Sequence, residues 1–108
     1  MNKLAYVCSP YSGNIQANIE FARKCCRRVM ERGYVPIAPH LLFPQFMSEE
    51  TEREKAIDLG LQLLAKCAVL WICGRYVSDG MRQEIEEAER LGIEVKHLET
   101  VWQDGKLR

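Results

Sequence analysis

The sequence predicts an α/β fold, a three-layer open parallel sheet of four to five strands with helices on both faces. Two observations carry that prediction. Short apolar runs of strand length alternate with longer stretches whose apolar residues recur at helical spacing. Gly, Ser, Tyr, His and Pro then accumulate just after the strands, at the end where such sheets bind ligands. A chain of 108 residues is one domain long, and 47% hydrophobic with 28% charged residues is an ordinary globular balance.

Leu4 to Cys8 is a continuous apolar run entering Ser-Pro-Tyr-Ser-Gly, a buried strand followed by a turn. From Asn14, Ile15, Ile19, Ala22, Cys26 and Val29 recur with helical period, and Gly33 stops that helix. Tyr34 to Ala38 makes a second strand, which Pro36 pushes toward an edge. Pro39 to Met47 reads as a loop. Ser48 or Thr51 caps the next helix, Thr51 and Glu54 having capping-box spacing, and Ala56, Ile57, Gly60, Leu63 and Leu64 form its inner face. Cys67 to Cys73 is apolar throughout, as a central parallel strand is. Ser78 or Asp79 caps a helix from about Met81 to Leu91, Gly92 ends it, and Ile93 to Leu98 is a further strand. The architecture is Rossmann- or flavodoxin-like, over residues 1–98. Residues 99–108 form a tail whose Val101 and Trp102 pack on the domain or on a neighbouring subunit.

Charge and cysteine usage narrow the function classes. Lys plus Arg and Asp plus Glu both number 15, so no broad field exists to steer a nucleic-acid polymer. The apolar run at Lys3 to Ser9 is too short for a signal peptide or membrane span, so a cytoplasmic protein without a membrane partner is expected. The five cysteines contain no C-x-x-C pair, and His40 and His97 lie far apart. Buried reduced thiols, with no metal and no cofactor, are the expectation.

Three helices place one polar residue each on a face otherwise meant for the core. With about 100° of rotation per residue, Glu84 falls inside the arc of Met81, Ile85, Ala88 and Leu91, while Glu86, Glu87 and Glu89 fall outside. An inward carboxylate needs a partner or a pocket. Read in the first turn, with the positive helix end to help it, Glu84 is either a structural clamp or an acid lining a cleft. Asn18 lies in the arc of Ile15, Ala22, Cys25 and Val29, either satisfying loop backbone or fixing the loop that meets a ligand. Arg53 lies on the inner face of the second helix, needing Glu84, Glu49 or a phosphate as its anion, or else snorkelling to solvent. Ser78, Asp79 and Gly80 make a tight helix entry, a seat for a phosphate or carboxylate or simply a cap. His40 stands at the ligand end of the second strand, whereas His97 carries no specific signal. No Walker or G-x-G-x-x-G motif is present.

The segments "YVCSPYSG", "APH" and "LLAKCAVLWICGRYVSDGMRQEIEEAERLGIEV" resemble the nucleoside 2-deoxyribosyltransferase-like superfamily, closest to a small branch found in phage and bacterial genomes. The resemblance runs from residue 4 to about 97, and its best motif is Ser78-x-Gly80-x-x-x-Glu84. It implies cleavage or transfer of the N-glycosidic bond of a 2-deoxynucleoside or its 5'-monophosphate. Glu84 would attack the anomeric carbon, and Ser78 and Gly80 would seat phosphate. The loop from Ser9 through Tyr11 to Gly13 would lie beside the sugar, supported by Asn18, His40 and Arg53. On their chemistry, Tyr11, Phe43 and Phe46 either supply base stacking or serve as packing. Many members are homodimers or larger, so a homo-oligomer is implied. The chain departs from the active members where they carry an aspartate near Gly60 and an acid at the start of the third strand, here Ala68. The alternative is therefore a non-catalytic module that binds a nucleotide or nucleotide sugar in the same cleft.

Overall fold

A computed structural model describes residues 2–98, together with the backbone of 102–103 and 106–107. Strands β1 (Leu4–Cys8), β2 (Val35–Ile37), β3 (Val69–Cys73) and β4 (Glu94–Leu98) form one parallel sheet in the order β2-β1-β3-β4. Helix α1 (Ile15–Glu31) joins β1 to β2, α2 (Pro39–Leu42) and α3 (Arg53–Leu64) lie between β2 and β3, and α4 (Asp79–Arg90) joins β3 to β4. From β1 the chain first moves outward to β2, then returns across to β3 and β4. Right-handed crossovers therefore put α1 on one face and α3 and α4 on the other. The switch in direction lies between β1 and β3, and their carboxyl ends mark the crevice of such a sheet.

Strand alternation builds a separate core on each face. Ala5 and Val7 pair with Val69 and Trp71, and with Cys73 and Leu98 they pack on Cys25 and Val29 of α1. Tyr6 and Cys8 pair with Leu70 and Ile72 and face Leu64, Met81 and Ala88 of α3 and α4. Every residue of β3 is buried, as its uninterrupted apolar run requires of a strand covered on both sides. Pro36 is tolerated because β2 lies at the sheet edge, paired only with β1. Gly33, at φ +91°, ends α1 in the left-handed region, its N–H donating to the Met30 carbonyl.

Several elements differ from the sequence reading. The stretch after β2 is a short helix, Pro39–Leu42, followed by a 3₁₀ turn, Phe43–Gln45, because Pro39 and Pro44 supply preset helical φ at each start. Thr51 does not cap α3. Its N-cap is Glu52, whose carboxylate instead accepts from the Ser48 N–H at 2.9 Å in the preceding turn. Ile57 and Leu91 are exposed, each just beyond the buried stripe of its helix. A two-residue antiparallel pair, Trp102–Gln103 with Lys106–Leu107, follows the sheet. The packing expected of Val101 and Trp102 lies outside the described residues. Among the described residues no helix is long and apolar enough to cross a membrane.

Candidate functional site

A cavity of about 390 Å³ opens on the α3 and α4 face of the sheet. Its walls come from the loop after β1 (Tyr11, Ser12), the α2 region (Pro39, His40, Phe43), the first half of α3 and the start of α4. Tyr6 and Glu84 also line it, so the polar centre of the site sits where β1 meets α4.

Glu84 is held from below by two donors of one strand. The Tyr6 hydroxyl donates to Glu84 Oε2, and the Cys8 thiol approaches Glu84 Oε1 at 3.4 Å. Alternation along β1 sends positions 6 and 8 to the same face, which puts the two donors side by side under one carboxylate. Burial pushes Glu84 up to about 7, opposed by the two hydrogen bonds from Tyr6 and Cys8. Burial and then the facing Glu84 carboxylate raise Tyr6 and Cys8 well above their ordinary ranges, so both stay protonated and act as donors. Helix α4 begins at Asp79, so Glu84 stands in its second turn and not its first. The free amides of the helix start do not reach it, and the donors on β1 take their place.

Ser78 is the N-cap of α4. Its Oγ accepts from the Met81 N–H at 3.3 Å, and its own N–H points to Met81 Sδ at 3.5 Å. Gly80 lines the cavity and has nothing within 4 Å of the position a Cβ would take. His40 stacks on Tyr11 with ring centroids 4.8 Å apart and a 55° tilt. Burial lowers His40 to about 4, so it is neutral at physiological pH. Arg53 reaches the cavity rim, with Nη2 at 3.3 Å from Ser12 Oγ and Nη1 at 3.7 Å from Glu49. Tyr11 is raised by burial and by the adjacent Glu49.

The structure thus brings Glu84, Tyr11, His40, Arg53, Ser78 and Gly80 into one cavity, and leaves three expected residues outside its lining. Ser9 is buried. It stands one residue past the end of β1 and is absent from the cavity lining. Gly13, at φ +98°, makes the left-handed turn into the N-cap Asn14. Asn18 acts at one remove, its Nδ2 donating to the carbonyls of Tyr11 at 2.9 Å and Ser12 at 3.0 Å and so fixing the loop that enters the cavity. Arg53, 61% exposed, reaches toward solvent and meets Glu49, one of its expected anions. One further expectation is corrected. Phe46 is 66% exposed and packs edge-on against Phe43, outside the lining.

Tyr6 is the functional residue that helical periodicity could not reveal, since it lies in a strand. The usable signal was parity: a hydroxyl inside an apolar run, on the face shared with Cys8. Gly60, expected on the inner face of its helix, lines the cavity, and a Cβ there would lie in ordinary contact with the Tyr6 hydroxyl at 3.5 Å. Among the described residues no group of three or more His, Cys, Asp or Glu could hold a metal ion. The cysteines are free thiols, with Cys8, Cys25, Cys67 and Cys73 buried and Cys26 partly so.

Residues 3–98 match the family model described as "Domain of unknown function (DUF7768)". The chain belongs to this family. The match spans β1 to β4 and so covers the whole four-stranded sheet. No curated protein matches the chain.

Proposed function

We propose that this DUF7768 domain cleaves or transfers the N-glycosidic bond of a 2-deoxynucleoside or its 5'-monophosphate, with Glu84 as nucleophile. One observation carries the reading: a carboxylate at the base of a cavity beyond the switch between β1 and β3, its two oxygens oriented by Tyr6 and Cys8. A carboxylate so fixed attacks the anomeric carbon of a sugar above it. The glycosidic electron pair leaves with the base, which takes a proton from a cavity donor or water. Water or an acceptor base then displaces Glu84 from the glycosyl ester. Each carboxylate oxygen keeps a lone pair beside the one given to its donor. Tyr11 and His40 offer an aromatic surface to the base. A carboxyl group raised to about 7 becomes ionised as pH rises, so the rate increases between about pH 6 and pH 8.

The same site supports a second reading, a binding module for a nucleotide or nucleotide sugar. The observation favouring it is the bare wall at Gly60, where the resembling enzymes carry a second acid. In either reading the protein works in the cytoplasm, where its thiols stay reduced, and a homo-oligomer follows only from the resemblance.

Base release from the common deoxynucleosides and deoxynucleoside monophosphates, followed by chromatography, tests the choice. Glu84→Gln is expected to lower release by roughly 1000-fold or more while retaining binding. Binding without release by the wild type would select the module. Absence of both would end either reading.

A further inference from the structure

The helix start at Ser78 looks, in sequence, like a seat for phosphate. Its surroundings in the cavity say otherwise. Asp79, the first residue of α4, lines the cavity beside Ser78 and Gly80, placing a carboxylate at the positive end of the helix. Glu49 lines the same cavity next to Tyr11, and Glu84, raised to about 7, adds only part of a negative charge at neutral pH. Against these acids, Arg53 is the one cationic side chain among the described lining residues. It is already directed at Glu49 and Ser12. His40 adds no charge, since burial keeps it neutral. The Ser78 Oγ accepts from the Met81 N–H and keeps its own O–H to donate, which a sugar hydroxyl can accept as well as a phosphate can.

We infer that Asp79 is a specificity determinant that turns phosphate away from the α4 start, so that the cavity takes the uncharged nucleoside in preference to its 5'-monophosphate. The inference rests on the reading of this cavity as a nucleoside or nucleotide site, and it chooses between the two substrate classes which that reading leaves open. The physical basis is simple. A phosphate dianion entering here meets the Asp79 carboxylate at the helix start, while the one guanidinium in the lining is already turned toward Glu49. A nucleoside's hydroxyls meet the same carboxylates as hydrogen-bond acceptors and gain from them.

Calorimetric titration of the purified protein with each common deoxynucleoside and its 5'-monophosphate provides the test. The nucleoside is expected to bind at least about tenfold more tightly at low salt, with the gap narrowing as ionic strength rises. Asp79→Asn, which removes the charge and keeps the side-chain shape, is expected to raise monophosphate affinity by roughly fivefold. A gain of affinity cannot arise from misfolding. Glu49→Gln is expected to act in the same direction and more weakly, because Arg53 already offsets Glu49. Tighter binding of the monophosphate by the wild type would overturn the inference while leaving the nucleotide reading intact. An unchanged monophosphate affinity in Asp79→Asn would remove the role given to Asp79. Failure of every ligand to bind would overturn the underlying reading of the cavity itself.

Discussion

The two faces of the sheet are built from the same strands and serve opposite ends. Toward α1, β1 presents Ala5 and Val7, β3 presents Val69, Trp71 and Cys73, and Cys25 and Val29 close over them. Toward α3 and α4, the alternate residues of the same strands are apolar Leu70 and Ile72 in β3 but Tyr6 and Cys8 in β1, which meet Glu84 of α4. The difference lies in how far the helices cover the sheet. Helix α1 lies along its face, whereas α3 and α4 leave a cavity between their first halves. A carboxylate is tolerated only on the second face, because only there do donors from the strand and an opening to solvent meet it. One polar atom interrupts the first face: the buried indole N–H of Trp71 has no hydrogen-bond partner among the described residues, while Tyr34 packs T-shaped against the ring and Arg32 and Lys96 lie over it.

If the α1 face serves stability and the other face serves chemistry, substitutions should separate along that line. The largest stability effect belongs to the sealed side. Trp71→Ala is expected to lower unfolding free energy by about 4 kcal/mol, measured by urea denaturation, because it empties a packed core position. A loss below 1 kcal/mol would show that this face is not tightly packed.

Glu84→Gln should have the opposite sign. Folding raises Glu84 from its ordinary 4.5 to about 7, so the folded protein holds that proton more tightly than the unfolded chain. The associated stability is complete at low pH and is lost as pH climbs through about 7. The neutral amide removes that loss. Glu84→Gln is therefore expected to stabilise the protein by roughly 2 kcal/mol at pH 8 and to do little at pH 4. Equal thermal shifts at both pH values would contradict a buried, raised carboxyl.

Tyr6→Phe sharpens the comparison further. It removes a donor from Glu84 while leaving the aromatic packing in place, so a stability loss of about 1 kcal/mol is expected at pH 8. Since that hydrogen bond holds Glu84 down, the pH profile of base release or ligand binding should move to higher pH. An unmoved profile would mean that Tyr6 is packing alone.

The sequence by itself determined the order and type of the four sheet strands and the three long helices, and one key residue, but not the short helix and 3₁₀ turn after β2. Apolar runs and helical periods need no tertiary partner to be recognised, because they record which backbone geometry places a residue inside. The same rotation argument isolated Glu84 from three neighbouring glutamates, and the fold places it inward. Ser78 was legible for a related reason, since a cap is a local device. Arg53 was legible in part, since it lines the cavity and meets Glu49, whereas Ser9 lies outside the lining because no local pattern sets how the chain runs on past a strand's end. Tertiary structure alone decided the rest. Tyr6 and Glu84 lie 78 positions apart in the chain, and their meeting depends on the β1–β3 pairing and the side on which α4 crosses. The charge around the helix start was also invisible in a chain of zero net charge, because Glu49, Asp79 and Glu84 become neighbours of one cavity only when β1, α3 and α4 enclose it.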